Sequence, residues 1–292
     1  MAANTRDIRR RIKSVKNTSQ ITKAMQMVAA AKMRRAQNSA LAGRPYADLL
    51  RKVLASVASR MQESTHALLE TRSEIKKELV LVVATDKGLC GALNTNLLRE
   101  VAKYDPAKTE FVVVGKKAMQ YLLRTKHTVL AEFTLKENFH FLDSKQVSKF
   151  CIDKFVSGEV DRVSVVFTDF VNTLSQIPRT RVILPISNLN VGDVLGSAEE
   201  TIAPTENATE YEFEPDAGAV LEGVLPHHVH FQVYQMVLDS RASEHSARMV
   251  AMKSATDNAK QLIKDLTLEY NKVRQAAITT EILEIATAAM AG

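Results

Sequence analysis

The chain contains no tryptophan, two cysteines, seven prolines and ten glycines in 292 residues, and aromatic side chains make up 5% of it. So little glycine and proline excludes collagen-like and low-complexity chains, and a hydrophobic content of 46% excludes a disordered one. That much apolar material suits one large or two modest domains. Cys90 and Cys151 follow neither metal-ligand nor redox spacing, and no secretory signal pattern is present, so free thiols in a reducing compartment and no structural zinc are expected. No apolar run reaches the roughly 18–20 residues that a membrane-spanning helix requires. Acidic residues are nearly missing from the first sixty positions, where two stand against 14 Lys and Arg. The formal charge of +6 therefore divides into +12 over residues 1–60 and −6 over the remainder.

Where glycine and proline are missing altogether, long helices are expected. None occurs from Asn4 to Leu41, and Asn4 or Thr5 can cap a first turn in which Asp7 faces the positive end of the dipole. The apolar positions Ile8, Ile12 and Val15, then Ile21, Met25 and Val28, read as a narrow seam. Gly43 and Pro45 are expected to kink or interrupt this helix before Leu49, Val53, Leu54 and Val57 resume it. From His227 to Ala291 glycine and proline are again absent, and Met249, Met252, Thr256, Ala259, Ile263, Leu266, Tyr270, Val273 and Ala277 alternate spacings of three and four. This is the heptad pattern of a left-handed coiled coil.

Between the two ends, Leu79–Ala84, Phe111–Val114, Val163–Phe167 and Arg181–Ile186 are short β-rich runs. They alternate with helical stretches near Leu93–Lys103, Lys117–Lys126 and Lys145–Val156, which predicts an α/β layer on a mainly parallel sheet. Residues 193–222 carry nine acids and no Lys or Arg, and read as a surface loop with an edge strand at Tyr211–Phe213. The fold class is α/β: an antiparallel coiled coil of long N- and C-terminal helices with an inserted Rossmann-like α/β domain. The expected parts are an N-terminal coiled-coil helix over 1–60, an α/β foot over 75–225 and a C-terminal coiled-coil helix over 227–292.

Few patterns carry chemistry. Thr85-Asp86-Lys87-Gly88-Leu89-Cys90-Gly91 joins a strand to a helix, but Gly88 and Gly91 fit neither the P-loop nor the dinucleotide fingerprint, so a tight turn is the preferred reading. His227, His228 and His230 lack further ligands at metal spacing and read as the solvated start of a helix after Pro226. No catalytic, cofactor or metal residues are assigned. The basic stripe Arg6, Arg9, Arg10, Arg11, Lys13, Lys16, Lys23, Lys32, Arg34 and Arg35 calls for an opposite-sign surface, either duplex phosphates or an acidic protein. The first aromatic residue is Tyr46, which disfavours stacking on single strands.

At these residues the chain resembles the gamma subunit family of the ATP synthase, the central rotor stalk. The likeness rests on the block from Ile12 to Thr18, on Ile21 to Ala30 with Lys32-Met33-Arg34, on Thr85 to Asn94, on Ala242 to Asn258 and on Tyr270 to Ile285. Ala288-Ala289 stands where the family's C-terminal signature usually has Gly-Ala, and residues 190–220 lack the cysteine-bearing insertion of the chloroplast type. The Arg-rich start falls inside the first matching block, so it is expected to be rotor helix with no transit peptide before it, as in a bacterial protein.

The resemblance implies a non-catalytic subunit, present once per complex. Its coiled coil would turn inside a ring of alpha and beta subunits, and its foot would sit on the epsilon subunit and the membrane c-ring. Proton flow through that ring would drive ATP synthesis, or hydrolysis would run it backwards, from the cytoplasmic face of a bacterial inner membrane. Rotor–stator contacts are implied for Lys23, Met25, Glu244, Arg248, Arg274, Gln275 and Thr279. Foot contacts are implied for Tyr211, Glu212, Phe213, Glu214 and Asp216. No cofactor and no nucleic acid belong to this reading; its alternative is a basic coiled-coil nucleic-acid-binding protein.

Overall fold

A computed structural model of the chain describes residues 5–60, 66–72, 74–137, 139–186 and 216–291. Helix α1 (Thr5–Arg60) leads to strand β1 (Glu78–Val83), followed by α2 (Leu93–Val101), β2 (Thr109–Val114), α3 (Lys116–Arg124), β3 (Thr128–Phe133), α4 (Phe141–Val156), β4 (Arg162–Phe170), β5 (Gln176–Leu184) and α5 (Ala217–Ala291). The chain divides into two compact units, Met1–Ala30 with Arg248–Gly292, and Ala31–Ala247.

In the second unit the sheet order is β3-β2-β1-β4-β5, parallel throughout except for the antiparallel β4–β5 hairpin. The central strands are apolar on both faces because helices cover both. On one face Val80, Val82, Phe111, Val113 and Val166 meet Leu97 and Val101 of α2 and Ala118 and Leu122 of α3. On the other, Leu81, Val112, Val165 and Phe167 join a larger core with Val147, Cys151 and Phe155 of α4, Leu225, Val229 and Val233 of α5, and Leu50 and Leu54 of α1. The close approach of β1 to the turn after β2 needs a glycine: Gly115 has φ +103°, and a Cβ there would lie 2.3 Å from the Ala84 carbonyl oxygen.

Pro45, expected to kink or interrupt the first helix, and Pro226, read as a helix boundary, both lie inside helices. α1 continues through Gly43 and Pro45 as helix, and α5 begins at Ala217, ten residues before the expected start, and passes through Pro226. An interior proline costs about 3 kcal/mol. Here burial of Ala47, Leu50 and Leu54 after Pro45, and of Leu225 and Val229 around Pro226, outweighs that cost. The first turn of α5 is capped by Asp216, whose Oδ1 accepts the Ala219 N–H at 2.8 Å. The two long helices run antiparallel in this unit: Gly43 faces Gln235 and Phe231, while Tyr46 packs on Phe231 and bonds His227. A Cβ at Gly43 would come within 2.1 Å of Gln235 Nε2, so a larger residue there requires the end of the Gln235 side chain to move.

In the first unit α5 follows its expected seam. Met252, Thr256, Ala259 and Leu266 are buried, with Ile263, Tyr270 and Val273 partly so. The α1 seam departs from expectation after Val15. It continues in the same heptad register through Ser19, Thr22, Gln26 and Ala29, whereas Ile21 is 60% exposed and Val28 53% exposed. Small and hydroxyl side chains let the backbones approach, and Thr22 and Thr256 join their hydroxyls at 2.7 Å across the seam.

Candidate functional site

The Thr85–Gly91 loop satisfies its own polar groups. Thr85 Oγ1 donates to the Lys87 carbonyl at 2.8 Å, and Asn94 Nδ2 donates to Thr85 Oγ1 at 2.8 Å and reaches Cys90 Sγ at 3.3 Å. Asp86 Oδ1 accepts the Lys116 N–H at 3.2 Å. Leu89 and Gly91 take left-handed φ values of 63° and 61°, and Leu89 points outward, 63% exposed. This is the tight turn expected from sequence.

The loop follows β1, which has β2 on one side and β4 on the other; in doubly wound sheets that switch point is where ligands bind. Here α5 lies along it. Arg241 donates to the Leu135 carbonyl at 3.1 Å and stands 3.9 Å from Asp86, and Ser240 Oγ accepts the Thr168 N–H at 3.2 Å. Beside Arg241 is a cleft of about 400 Å³ lined by Lys32, Arg35, Glu137, Tyr234 and His245. Lys32 pairs with Glu137 at 2.5 Å and, chiefly by that bond, holds its carboxyl below the usual range. Among the described residues no three His, Cys, Asp or Glu side chains gather as metal ligands. Both cysteines are buried, and burial pushes the Cys151 thiol up to about 12.

The residues implied as rotor–stator contacts fall in different surroundings. Lys23 is exposed, and Met25 and Arg248 are half-buried. Arg274, Gln275 and Thr279 lie on the end of α5 where every side chain from Arg274 to Met290 is exposed, including Ile282, Leu283 and Ile285. Thr279 turns its hydroxyl onto its own helix, donating to the Gln275 carbonyl at 2.9 Å. Glu244 is buried and faces Arg241 at 3.4 Å, in the unit that holds the sheet. Asp216, implied as a foot contact, caps α5. Tyr211, Glu212, Phe213 and Glu214, with the expected edge strand, lie outside the described residues. No local sequence pattern marks Arg241, because its partners Asp86 and Leu135 are more than a hundred residues away.

The histidine cluster is not a solvated helix start. His227 bonds Tyr46 Oη at 2.6 Å, and His230 is buried with Nδ1 2.7 Å from Ser148 Oγ. Burial, above all, pushes His228 and His230 down to about 4. Their folded-state values lie below the unfolded value near 6.5, so the unfolded chain binds more protons between those limits. Stability is complete above about pH 6.5 and falls as the pH drops toward 4. The melting temperature should decrease by about 5 °C or more between pH 7 and pH 5. A chain carrying both His228→Gln and His230→Gln should lose most of that slope; an unchanged slope would assign it to other groups.

A sequence profile of the family described as ATP synthase matches residues 4–291. The ATP synthase gamma chain of Methylacidiphilum infernorum is 50% identical over 291 residues, covering 98% of each chain, and that of Opitutus terrae is 50% identical over 293 residues, covering 99% of each. Among solved structures, a chain of the Euglena gracilis mitochondrial ATP synthase, in an OSCP/F1/c-ring assembly, superposes with a TM-score of 0.68 at 22% identity, covering 98% of this chain and 94% of that one. A chain from the central stalk and c-ring of the Tetrahymena thermophila enzyme gives 0.60 at 24% identity, covering 80% and 99%. These structures share the fold of two long terminal helices around a mixed sheet, and with the near full-length gamma chain relatives they place the chain in the ATP synthase gamma chain family, the rotor stalk subunit of that complex.

Proposed function

We propose that the chain is the non-catalytic shaft through which proton flow and ATP chemistry exchange work, with the catalytic sites on partner beta subunits. The observation that carries this reading is α5, one helix of 75 residues that packs on the sheet over its first part and pairs with α1 between Met252 and Val273. A torque imposed on the sheet domain has a covalent, hydrogen-bonded path into the paired helices. Exposed Ile21 and Val28 on one flank of α1, and Met27 with Lys23 on the other, supply apolar and cationic surface for a ring of alpha and beta subunits, as do Arg274, Gln275 and the apolar tip. Met25 and Arg248 stand at the margin of that surface. Epsilon and the c-ring are the partners proposed for the sheet domain, with one copy of the chain per complex.

No helix among the described residues is long and apolar enough to cross a membrane, so the proposed place of the chain at the cytoplasmic face of a bacterial membrane depends on the complex. The shaft transmits work only if its surface binds the conformers of each catalytic subunit unequally, because a ligand shifts an equilibrium by its differential affinity alone. Reassembly of the enzyme from its subunits in membrane vesicles tests this. With the chain present, ATP hydrolysis should pump protons; without it, hydrolysis should continue unpumped or cease. Proton pumping that survives omission of the chain would refute the proposal.

A further inference from the structure

We infer that Arg241 is a positioning residue that keys α5 into the rim of the sheet, so that load passes between the α/β layer and the helix without slip. The inference rests on the stalk reading above. Before position 240, α5 meets the sheet domain mainly through Leu221, Leu225, Val229, Val233, Met236 and Val237. Such contacts are non-directional and resist separation far better than sliding or turning about the helix axis. From Ser240 to Ser246 the interface becomes polar and buried. Ser240 Oγ accepts the Thr168 N–H at 3.2 Å, Ser243 Oγ donates to the Thr168 carbonyl at 3.1 Å, and Ser246 Oγ donates to the Thr173 carbonyl at 2.9 Å.

Arg241 completes the set with a longer reach. One guanidinium nitrogen donates to the carbonyl of Leu135, beyond β3, and stands 3.9 Å from Asp86, beyond β1. The other is 3.4 Å from Glu244 one turn along the helix. Asp86 is itself anchored by the Lys116 N–H at the start of α3. The side chain is 15% exposed, a setting in which a planar, charged fork is strongly directional. Advancing α5 by one residue moves it about 1.5 Å along and about 100° around its axis, which breaks every one of these bonds together. Glu244 accordingly braces the arginine.

The reassembled complex in vesicles distinguishes this role from a general contribution to stability. Protons pumped per ATP hydrolysed are measured for the natural chain, Arg241→Met and Arg241→Lys as the opposing proton gradient is raised. At negligible gradient the three should agree. At high gradient Arg241→Met should fall about threefold or more below the natural chain while hydrolysis continues, with Arg241→Lys between them. A methionine variant that tracks the natural chain at every load, or that is lower by one constant factor at all loads, overturns the inference. Should Arg241→Met fail to assemble, Arg241→Lys is judged against the natural chain by the same criteria. Failure of the natural chain itself to restore pumping sinks the stalk reading and this inference with it.

Discussion

Ala29→Asp is expected to unzip the paired helices of the first unit, and Val28→Asp, one residue away, to leave them closed. Ala29 is 2% exposed and Val28 is 53% exposed. Aspartate costs up to about 0.7 kcal/mol of helix propensity in place of alanine and close to nothing in place of valine, so most of the difference expected between the variants comes from burial. At position 29 the carboxylate would be forced into a seam otherwise formed by Thr22, Thr256, Met252 and Ala259. Burying a charge and overfilling an alanine site in such a seam costs about 3 kcal/mol or more. Because no sheet or second layer supports these helices within their unit, the loss should appear as an early, separate decrease in far-ultraviolet circular dichroism on heating. In the reassembled enzyme, ATP-driven pumping should fall close to background for Ala29→Asp and stay within about twofold of normal for Val28→Asp. Identical melting of the two variants would show that the seam runs through Val28 after all.

That pair of positions also marks where the sequence stopped being legible. The α5 seam could be read because nearly every member is apolar, from Met252 to Val273, and each step is three or four residues. In α1 the same period passes through Ser19, Thr22 and Ala29, while the larger apolar residues Ile21 and Val28 lie outside it. Hydrophobicity and register point to different faces there, and register prevails because the helices approach on small side chains. The central strands were recognisable from their continuous apolar runs, since both faces are covered. β3 was missed: it is an edge strand, TVLAEF, in which Thr128, Leu130 and Glu132 are exposed and only alternate residues turn inward. Pro226 was read as a boundary because propensity is local, whereas the packing that carries α5 through it is tertiary. Contacts at the exposed Arg274 and Gln275 are implied by the family blocks alone, whereas the inward turn of Glu244 depends on Arg241, Leu135 and Asp86, which only the fold brings together.

Arg72→Met should remove about 3 kcal/mol of stability at neutral pH, and should remove much less in acid. Arg72 Nη1 donates to Asp161 Oδ1 at 2.7 Å and to the Val160 carbonyl at 2.9 Å, Nη2 donates to the Phe155 carbonyl at 3.2 Å, and the guanidinium lies 5.3 Å from the centre of the Phe155 ring. Asp161 Oδ2 in turn accepts the N–H groups of Lys76 and Lys77 at 2.8 and 3.0 Å. One ion pair thus straps the segment leading into β1 onto the end of α4 and the start of β4. Methionine preserves much of the stem and leaves two carbonyls and a carboxylate without the fork, in a site where Arg72 is 27% and Asp161 16% exposed. The hydrogen bond from Arg72, followed by those from the Lys77 and Lys76 backbone, holds the Asp161 carboxyl below its ordinary value. A depressed carboxylate stabilises the fold above its unfolded value near 3.9, and that contribution is lost as the pH falls through the folded value. The natural chain and Arg72→Met should therefore differ fully in urea midpoint at pH 7, and the difference should shrink as the pH falls below about 3.9. A difference that persists unchanged in acid would mean that Arg72 acts through its apolar stem and its stacking on Phe155, and a difference below about 0.5 kcal/mol at pH 7 would mean that water replaces the fork.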